Sequence, residues 1–249
     1  MTLPAKNGKL NQIAIASTIM KVDLSKYLDN WYKEEPAKHI FPGPVVTISR
    51  EVGCPAKKIA ADLTARLNTL KKVHAKEGPW RWISKEIMME SAKALSVDSS
   101  QIQHVFDYKS RGVLEDLLFA QSKDYYKSDM KIRTTIAKVI RNFANAGNAI
   151  IVGRGGVAIT RDIPKSLHIY LEAPLEWRAL RVAEKHNFNI EQARNYAQGI
   201  DKKRSGFRDY FQGKGNDYTR FDIKLNCMTL KPEDIIEIII GAMRTRSMI

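Results

Sequence analysis

The apolar positions of this chain change period several times along its length. "VVTIS" at 45–49 is short, β-branched and apolar, the pattern of a strand buried in a parallel sheet. Behind it, Ile59, Leu63, Leu67 and Leu70 recur at helical spacing. The turn-rich "KEGPW" at 76–80 separates that helix from "SKEIMMESAKAL", a second helix with Ser84 as candidate N-cap. No capping box supports the cap, because Ile87 stands where Glu or Gln would be needed. Residues 97–122 predict one or two further helices. Ile132, Ile136, Val139, Ile140 and Phe143 mark another, stopping near Gly147.

"NAIIVGRGG" then predicts a second strand ending in a glycine-rich turn, and "SLHIYLEAP" a third. Pro174 suits the first turn of a helix reaching Lys185. "NIEQARNYAQGIDKKRSGFRDYF" reads as a long basic helix opened by Asn189, with Gly206 as a hinge or break. "FDIKLNC" is the fourth strand. "KPEDIIEIIIGAM" closes the series as a helix with Pro232 and two acids in its first turn. Upstream, Leu24, Tyr27, Leu28 and Trp31 share one face of an amphipathic segment that "PAKHIFPGP" terminates. The expected organisation is an N-terminal extension over 1–44 and one domain over 45–249.

Alternating strands and helices predict an α/β fold: a parallel sheet with helices on both faces. Ligands of such sheets bind beyond the carboxyl ends of the strands. The loop at 49–58, the turn at 153–156 and the loop after Leu171 are therefore expected around one crevice.

Composition changes this picture little. The chain has 249 residues, of which 44% are hydrophobic and 27% charged, the balance of an ordinary globular protein. A net charge of +14 fits either a solvated basic surface or a partner rich in phosphate. Cys54 and Cys227 form no CxxC pair, so neither a zinc site nor a disulfide framework is indicated, and a reducing cytoplasm is the expected location. No apolar run approaches the roughly 20 residues of a membrane span. The amino-terminal segment is too polar for a secretory signal.

Three constellations could carry chemistry. A loop feeding a helix start offers unpaired amides and a positive dipole end, both suited to phosphate, with Lys57 and Lys58 adding charge. The standard phosphate loop GxxxxGK(S/T) is not matched, so an ordinary strand-to-helix connection remains the competing reading. In "IIVGRGG", three glycines let backbone approach a ligand closely and Arg154 supplies a planar fork; a solvent-facing turn competes. On the basic helix, Arg204 and Arg208 share a face, with Asp201 one turn before Arg204. Two convergent arginines suit a transferring phosphoryl group; a salt-bridged solvated face competes. The five histidines show no ligand spacing, and His168 reads as a packed strand residue.

Together and in order, these blocks resemble the cytidylate kinase-like family of the P-loop nucleoside monophosphate kinases. "TISREVGCPAKKIAADLTARL" is similar to the family opening, "AIIVGRGGVAI" to its second strand and "LHIYLEAPLEWRALRVAEKHNFNIEQARNYAQGIDKKRSGFRDYF" to its third strand, helix and lid. "YTRFDIKLNCMTLKPEDIIEII" resembles the usual close. The resemblance implies a P-loop three-layer fold with a helical acceptor-binding region near 84–125 and a helical lid. It implies transfer of the ATP γ-phosphoryl group to a nucleoside monophosphate, with ATP and Mg²⁺ as cofactors. Ser49, Arg50, Gly53, Cys54, Ala56, Lys57 and Lys58 would line the phosphate loop. Lys57, Arg154, Arg204 and Arg208 would carry the transfer, Arg154 on the acceptor and the other two arginines from the lid.

Five positions depart from the family pattern. Pro55 and Ala56 replace loop glycines, Lys58 stands near the place of the Mg²⁺-binding hydroxyl of true cytidylate kinases, Gly155 replaces their aspartate, and Ser84 replaces a family aspartate. The alternative is therefore a catalytically degenerate nucleotide-binding relative with a regulatory or scaffolding role. A nucleic-acid binder is a weaker third reading, since no recognised motif of that class is present. Homo-oligomerisation is left open, and no membrane partner is implied.

Overall fold

The computed structural model describes residues 43–70, 78–96, 123–212 and 221–249. These all fall within one compact unit, residues 39–249.

Strand β1 (Val45–Arg50) lies at the centre of a five-stranded sheet. The others are β2 (Arg81–Ile83), β3 (Ala149–Val152), β4 (Ser166–Glu172) and β5 (Ile223–Asn226). Their order is β2-β3-β1-β4-β5, and every pairing is parallel. Val45 to Ile48 face Ala149 to Val152 on one side, and Val45 to Arg50 face Ser166 to Leu171 on the other. Strands β2 and β3 thus lie to one side of β1, and β4 and β5 to the other. The carboxyl end of β1 is the point where strand order reverses, which is where such sheets bind ligands.

The helices follow the apolar pattern. Helix α1 (Ala56–Leu70) buries Ile59, Leu63 and Leu67 against one face of the sheet. Helix α7 (Pro232–Thr245) joins it there through Ile235, Ile239 and Met243. Each such side chain contributes about 1.5–3 kcal/mol of burial. Helix α2 (Glu86–Leu95) packs against α3 (Lys123–Ala146). Helices α3 and α4 (Gly156–Ile159) adjoin β3 and β1 respectively, with Ile136, Ile140 and Ala144 buried. Helices α5 (Leu175–His186) and α6 (Ile190–Gln212) form a hairpin sealed by Ala179, Val182, Ala193 and Ala197, with Val52 of the β1–α1 loop in the same cluster.

Local signals explain most boundaries. Asn189 Oδ1 accepts the Gln192 amide at 2.8 Å and Gln192 Oε1 accepts the Asn189 amide at 3.0 Å, a reciprocal cap on α6. Pro232 opens α7, where Asp234 Oδ2 accepts the Lys231 amide at 3.2 Å. His168 is buried, its ring nitrogens meeting Thr47 Oγ1 at 2.8 Å and Ser166 Oγ at 3.2 Å. It is a packed strand residue, as its position in the pattern implied.

Several expectations need correction. Strand β2 is absent from the pattern reading: three residues, Trp82 at their middle, carry no period. Ser84 does not cap α2; the cap position is Lys85, and the Ser84 amide instead donates to Glu86 Oε2 at 2.8 Å. Pro174 sits at the N-cap of α5, one residue before its first turn. Helix α3 starts nine residues ahead of its apolar series, at Lys123 rather than Ile132. Helix α6 runs unbroken past Gly206, because packing outweighs a propensity cost of about 1 kcal/mol. The helices expected within 22–35 and 97–122 lie outside the described residues. Among the described residues no helix is long and apolar enough to cross a membrane.

Candidate functional site

The β1–α1 loop is braced from the α5–α6 hairpin. Gly53 stands at φ +94°, and a Cβ there would lie 3.0 Å from the Arg178 backbone, so the close approach requires glycine. The Val52 amide donates to Asp201 Oδ1 at 2.8 Å, and the Gly53 carbonyl accepts from Arg181 Nε at 3.1 Å. Arg178 is the hub. Its side chain, 7% exposed, donates to the carbonyls of Ala173 at 2.8 Å and Val52 at 3.2 Å. It also meets Asp201 at 2.8 Å and Glu51 at 3.1 Å. Glu51 in turn accepts the Ala173 amide at 3.0 Å. A cation this buried needs partners of this kind.

Cations gather in front of this brace. The Arg50 guanidinium crosses directly over Gly153, where a Cβ would fall 1.9 Å from Nη1. Burial, then the Arg204 and Arg154 charges, pull the Arg50 pKa down to about 9. Arg204 donates to the Arg50 carbonyl at 3.2 Å and lies 3.7 Å from Asp201; burial lowers its pKa too. Arg154 adopts φ +57° between two left-handed glycines, a conformation costing a non-glycine residue about 1 kcal/mol. Arg208 lies 5.9 Å from the Tyr170 ring centroid and 6.0 Å from that of Phe221.

Two cavities result. The smaller, about 270 Å³, is lined by Ser49, Gly153, Gly155 and the cations Arg50, Arg154, Lys203, Arg204 and Arg208. No carboxylate is among the described residues lining it. Tyr196, Ile200 and Phe207 complete its wall. The larger, about 620 Å³, lies along the loop itself, with Gly53, Cys54, Ala56, Lys57 and Lys58 on one side and Arg181, Lys185, His186 and Tyr196 on the other. Arg50 and Arg204 border both cavities. Lys58 is paired with Asp62 at 2.6 Å on the open surface, a contact weak enough to exchange for a ligand.

The singled-out side chains of the 49–58 loop, with Arg154, Arg204 and Arg208, therefore line two adjoining chambers, whereas the loop after Leu171, expected beside them, lines neither. Ser49, Arg154 and Arg208 face the smaller, and the loop from Gly53 to Lys58 faces the larger. Reasoning from sequence missed Arg178 and assigned Asp201 no more than a place on the basic helix. Nothing in "EWRALR" distinguishes an inward arginine from a surface one.

The chemistry of the donor set discriminates between cofactors. Lys57, Lys58, Arg181 and Lys185 around the larger cavity fit a triphosphate. They do not fit Mg²⁺ held in the standard P-loop manner. Helix α1 begins Ala56-Lys57-Lys58 and offers no hydroxyl there. Of the carboxylates beside the loop, Glu51 and Asp201 are already engaged by Arg178 and by backbone amides, and Glu184 lines the far wall of the larger cavity on α5.

The sequence pattern of the cytidylate kinase-like family matches residues 45–229. The chain belongs to this family. It is 30% identical over 130 residues to the cytidylate kinase of Sulfolobus acidocaldarius, spanning 51% of this chain and 68% of that protein. It is 27% identical over 155 residues to the cytidylate kinase of Sulfurisphaera tokodaii, spanning 59% and 82%. An uncharacterized protein from Eubacterium ventriosum has a related fold, with a TM-score of 0.54 at 20% identity over 81% of this chain and 98% of that one.

Proposed function

We propose that this protein transfers the γ-phosphoryl group of ATP, or a similar triphosphate, to a nucleoside monophosphate or similar small phosphorylated acceptor. The observation that carries the reading is the pair of guanidinium groups, Arg50 and Arg204, standing between the two cavities. Phosphoryl transfer is catalysed mainly by positioning and by neutralising charge on the moving group. A group passing between the chambers would pass between these two cations. The larger cavity takes the donor, with Lys57, Lys58 and Arg181 on its phosphates. The smaller takes the acceptor phosphate on Arg154, with Arg208 and Lys203 beside it. Transfer is in line, with no covalent enzyme intermediate.

The acceptor base is not read by a carboxylate at position 155. A Cβ there would lie 3.0 Å from the Phe211 ring and 3.3 Å from Phe207, so the aspartate of true cytidylate kinases would crowd these rings, at a backbone with φ +72°.

The test is ADP release from ATP over a panel of monophosphates, with Arg204→Ala as control. Loss of one such arginine is expected to cost on the order of 10³-fold in rate. An unchanged rate in the variant would overturn the proposal. A second reading, nucleotide binding without turnover, is favoured by the occupied Val52 amide and by Pro55, which has no N–H to offer a phosphate. ATP binding with no ADP release across the whole panel is its signature.

A further inference from the structure

Three aromatic rings meet where α5 turns into α6. His186, the last residue of α5, stacks on Phe188 with centroids 5.4 Å apart and planes at 21°. Tyr196 meets His186 at 5.1 Å and Phe188 edge-on at 5.6 Å. Phe188 packs on the buried cluster of the hairpin, which fixes the group in place. His186 and Tyr196 stay exposed, Tyr196 by 37%, and both line the larger cavity opposite the loop from Gly53 to Lys58.

Helix α6 sets the distance between these rings and the cations. Side chains four residues apart share one face of a helix. On α6 that face carries Tyr196, Ile200 and Arg204, all of which line both cavities, and then Arg208 at the smaller one. Tyr196 stands about 12 Å before Arg204 along the axis, at about 1.5 Å of rise per residue. An extended nucleoside triphosphate spans a similar distance from its last phosphate to its base.

We propose that Tyr196 and His186 are the stacking platform for the nucleobase of the triphosphate held in the larger cavity. The ligand then lies along α6, with its last phosphate at Arg204, its ribose against Ile200 and its base at the tip of the hairpin. Stacking suits these residues, since a base presents an apolar face to a ring and gains by leaving water. A cation at the end of α5 favours the helix dipole, and the ring trio closes the hairpin turn. Neither role requires two of the three rings to stand in the cavity wall.

The choice of a triphosphate rests on the function proposed above. The test separates the base from the phosphates. Affinities for ATP and for inorganic tripolyphosphate are measured by titration calorimetry on the wild-type chain, Tyr196→Ala, Tyr196→Phe and His186→Ala. Tyr196→Ala is expected to weaken ATP binding about tenfold and to leave tripolyphosphate binding within about twofold. Tyr196→Phe keeps the ring and is expected to restore ATP binding. His186→Ala, a change at an exposed residue, should weaken ATP alone in the same sense and keeps the inference testable if Tyr196→Ala does not fold.

Equal losses for the two ligands would make the rings a packing element of the hairpin and overturn the inference. No loss for either would do the same, as would failure of Tyr196→Phe to restore binding. If the wild-type chain binds tripolyphosphate but not ATP, the platform falls and the phosphate site stands. If it binds neither, both fall. Ring-dependent ATP binding with no ADP release across the monophosphate panel would uphold the platform and overturn the transfer reaction.

Discussion

Asp201 reaches from the middle of helix α6 to accept the backbone amide of Val52 at 2.8 Å, in the loop that follows the central strand. A carboxylate thus occupies one of the loop amides that a phosphate would otherwise seek. The same carboxylate neutralises Arg178 and lies 3.7 Å from Arg204, so one side chain ties loop, hub and lid arginine together.

Removing that tie has a predictable cost. Asp201→Ala leaves the buried Arg178 with one carboxylate fewer and the Val52 amide without its acceptor. The expected destabilisation is about 2 kcal/mol, a fall in melting temperature of about 4–8 °C for a domain of this size. Calorimetry decides it, and an unaltered melting temperature would refute the brace.

Gly153 is a second point of leverage. Gly153→Ala places a methyl group where Arg50 Nη1 now lies and strains a backbone at φ +72°. The guanidinium must move. Binding of inorganic phosphate is expected to weaken by about tenfold or more, beyond what the stability loss of about 1–2 kcal/mol explains. Titration calorimetry on the folded variant measures it; retained affinity would show that Arg50 does not contact the anion.

The crowding of Arg50, Arg154 and Arg204 predicts stabilisation by anions. Burial and then mutual repulsion disfavour the charged Arg50, and a bound anion offsets the repulsion. Pyrophosphate in hundredfold excess over its Kd should add about 2.7 kcal/mol of stability. The gain should shrink sharply in Arg50→Ala. An equal gain in that variant would place the anion elsewhere.

His168 gives the fold an acid limit. Burial holds its pKa below the ordinary 6.5, against the opposing pull of Asp222. The unfolded chain therefore takes up the proton first as pH falls. Stability from this group is complete above about pH 6.5 and declines as pH drops toward the lower folded value. Melting temperature is expected to fall across that window, and His168→Gln should flatten the slope. A variant with the wild-type slope would assign the acid sensitivity to other groups.

Much of the fold was legible because it is written in local periods. The β-branched run at 45–49, the helical series from Ile59 to Leu70 and the opening of a helix at Asn189 are short-range signals. They need only neighbours within a turn or a pleat to take effect. Strand β2 was not legible because three residues at a sheet edge show no period. The start of α3 was not legible either, since the apolar series begins only at Ile132.

The site divides in the same way. By itself the sequence pattern pointed to the loop at 49–58 and the turn at 153–156 meeting at the carboxyl end of a parallel sheet, because right-handed strand–helix–strand connections allow few other arrangements; the basic helix was brought there only by the family resemblance. Tertiary structure alone decided that Arg178 points inward and that Asp201 takes the Val52 amide. Those contacts join segments more than a hundred residues apart or on neighbouring helices. Their free energy comes from burial and charge pairing, which exist only once the chain has closed around them.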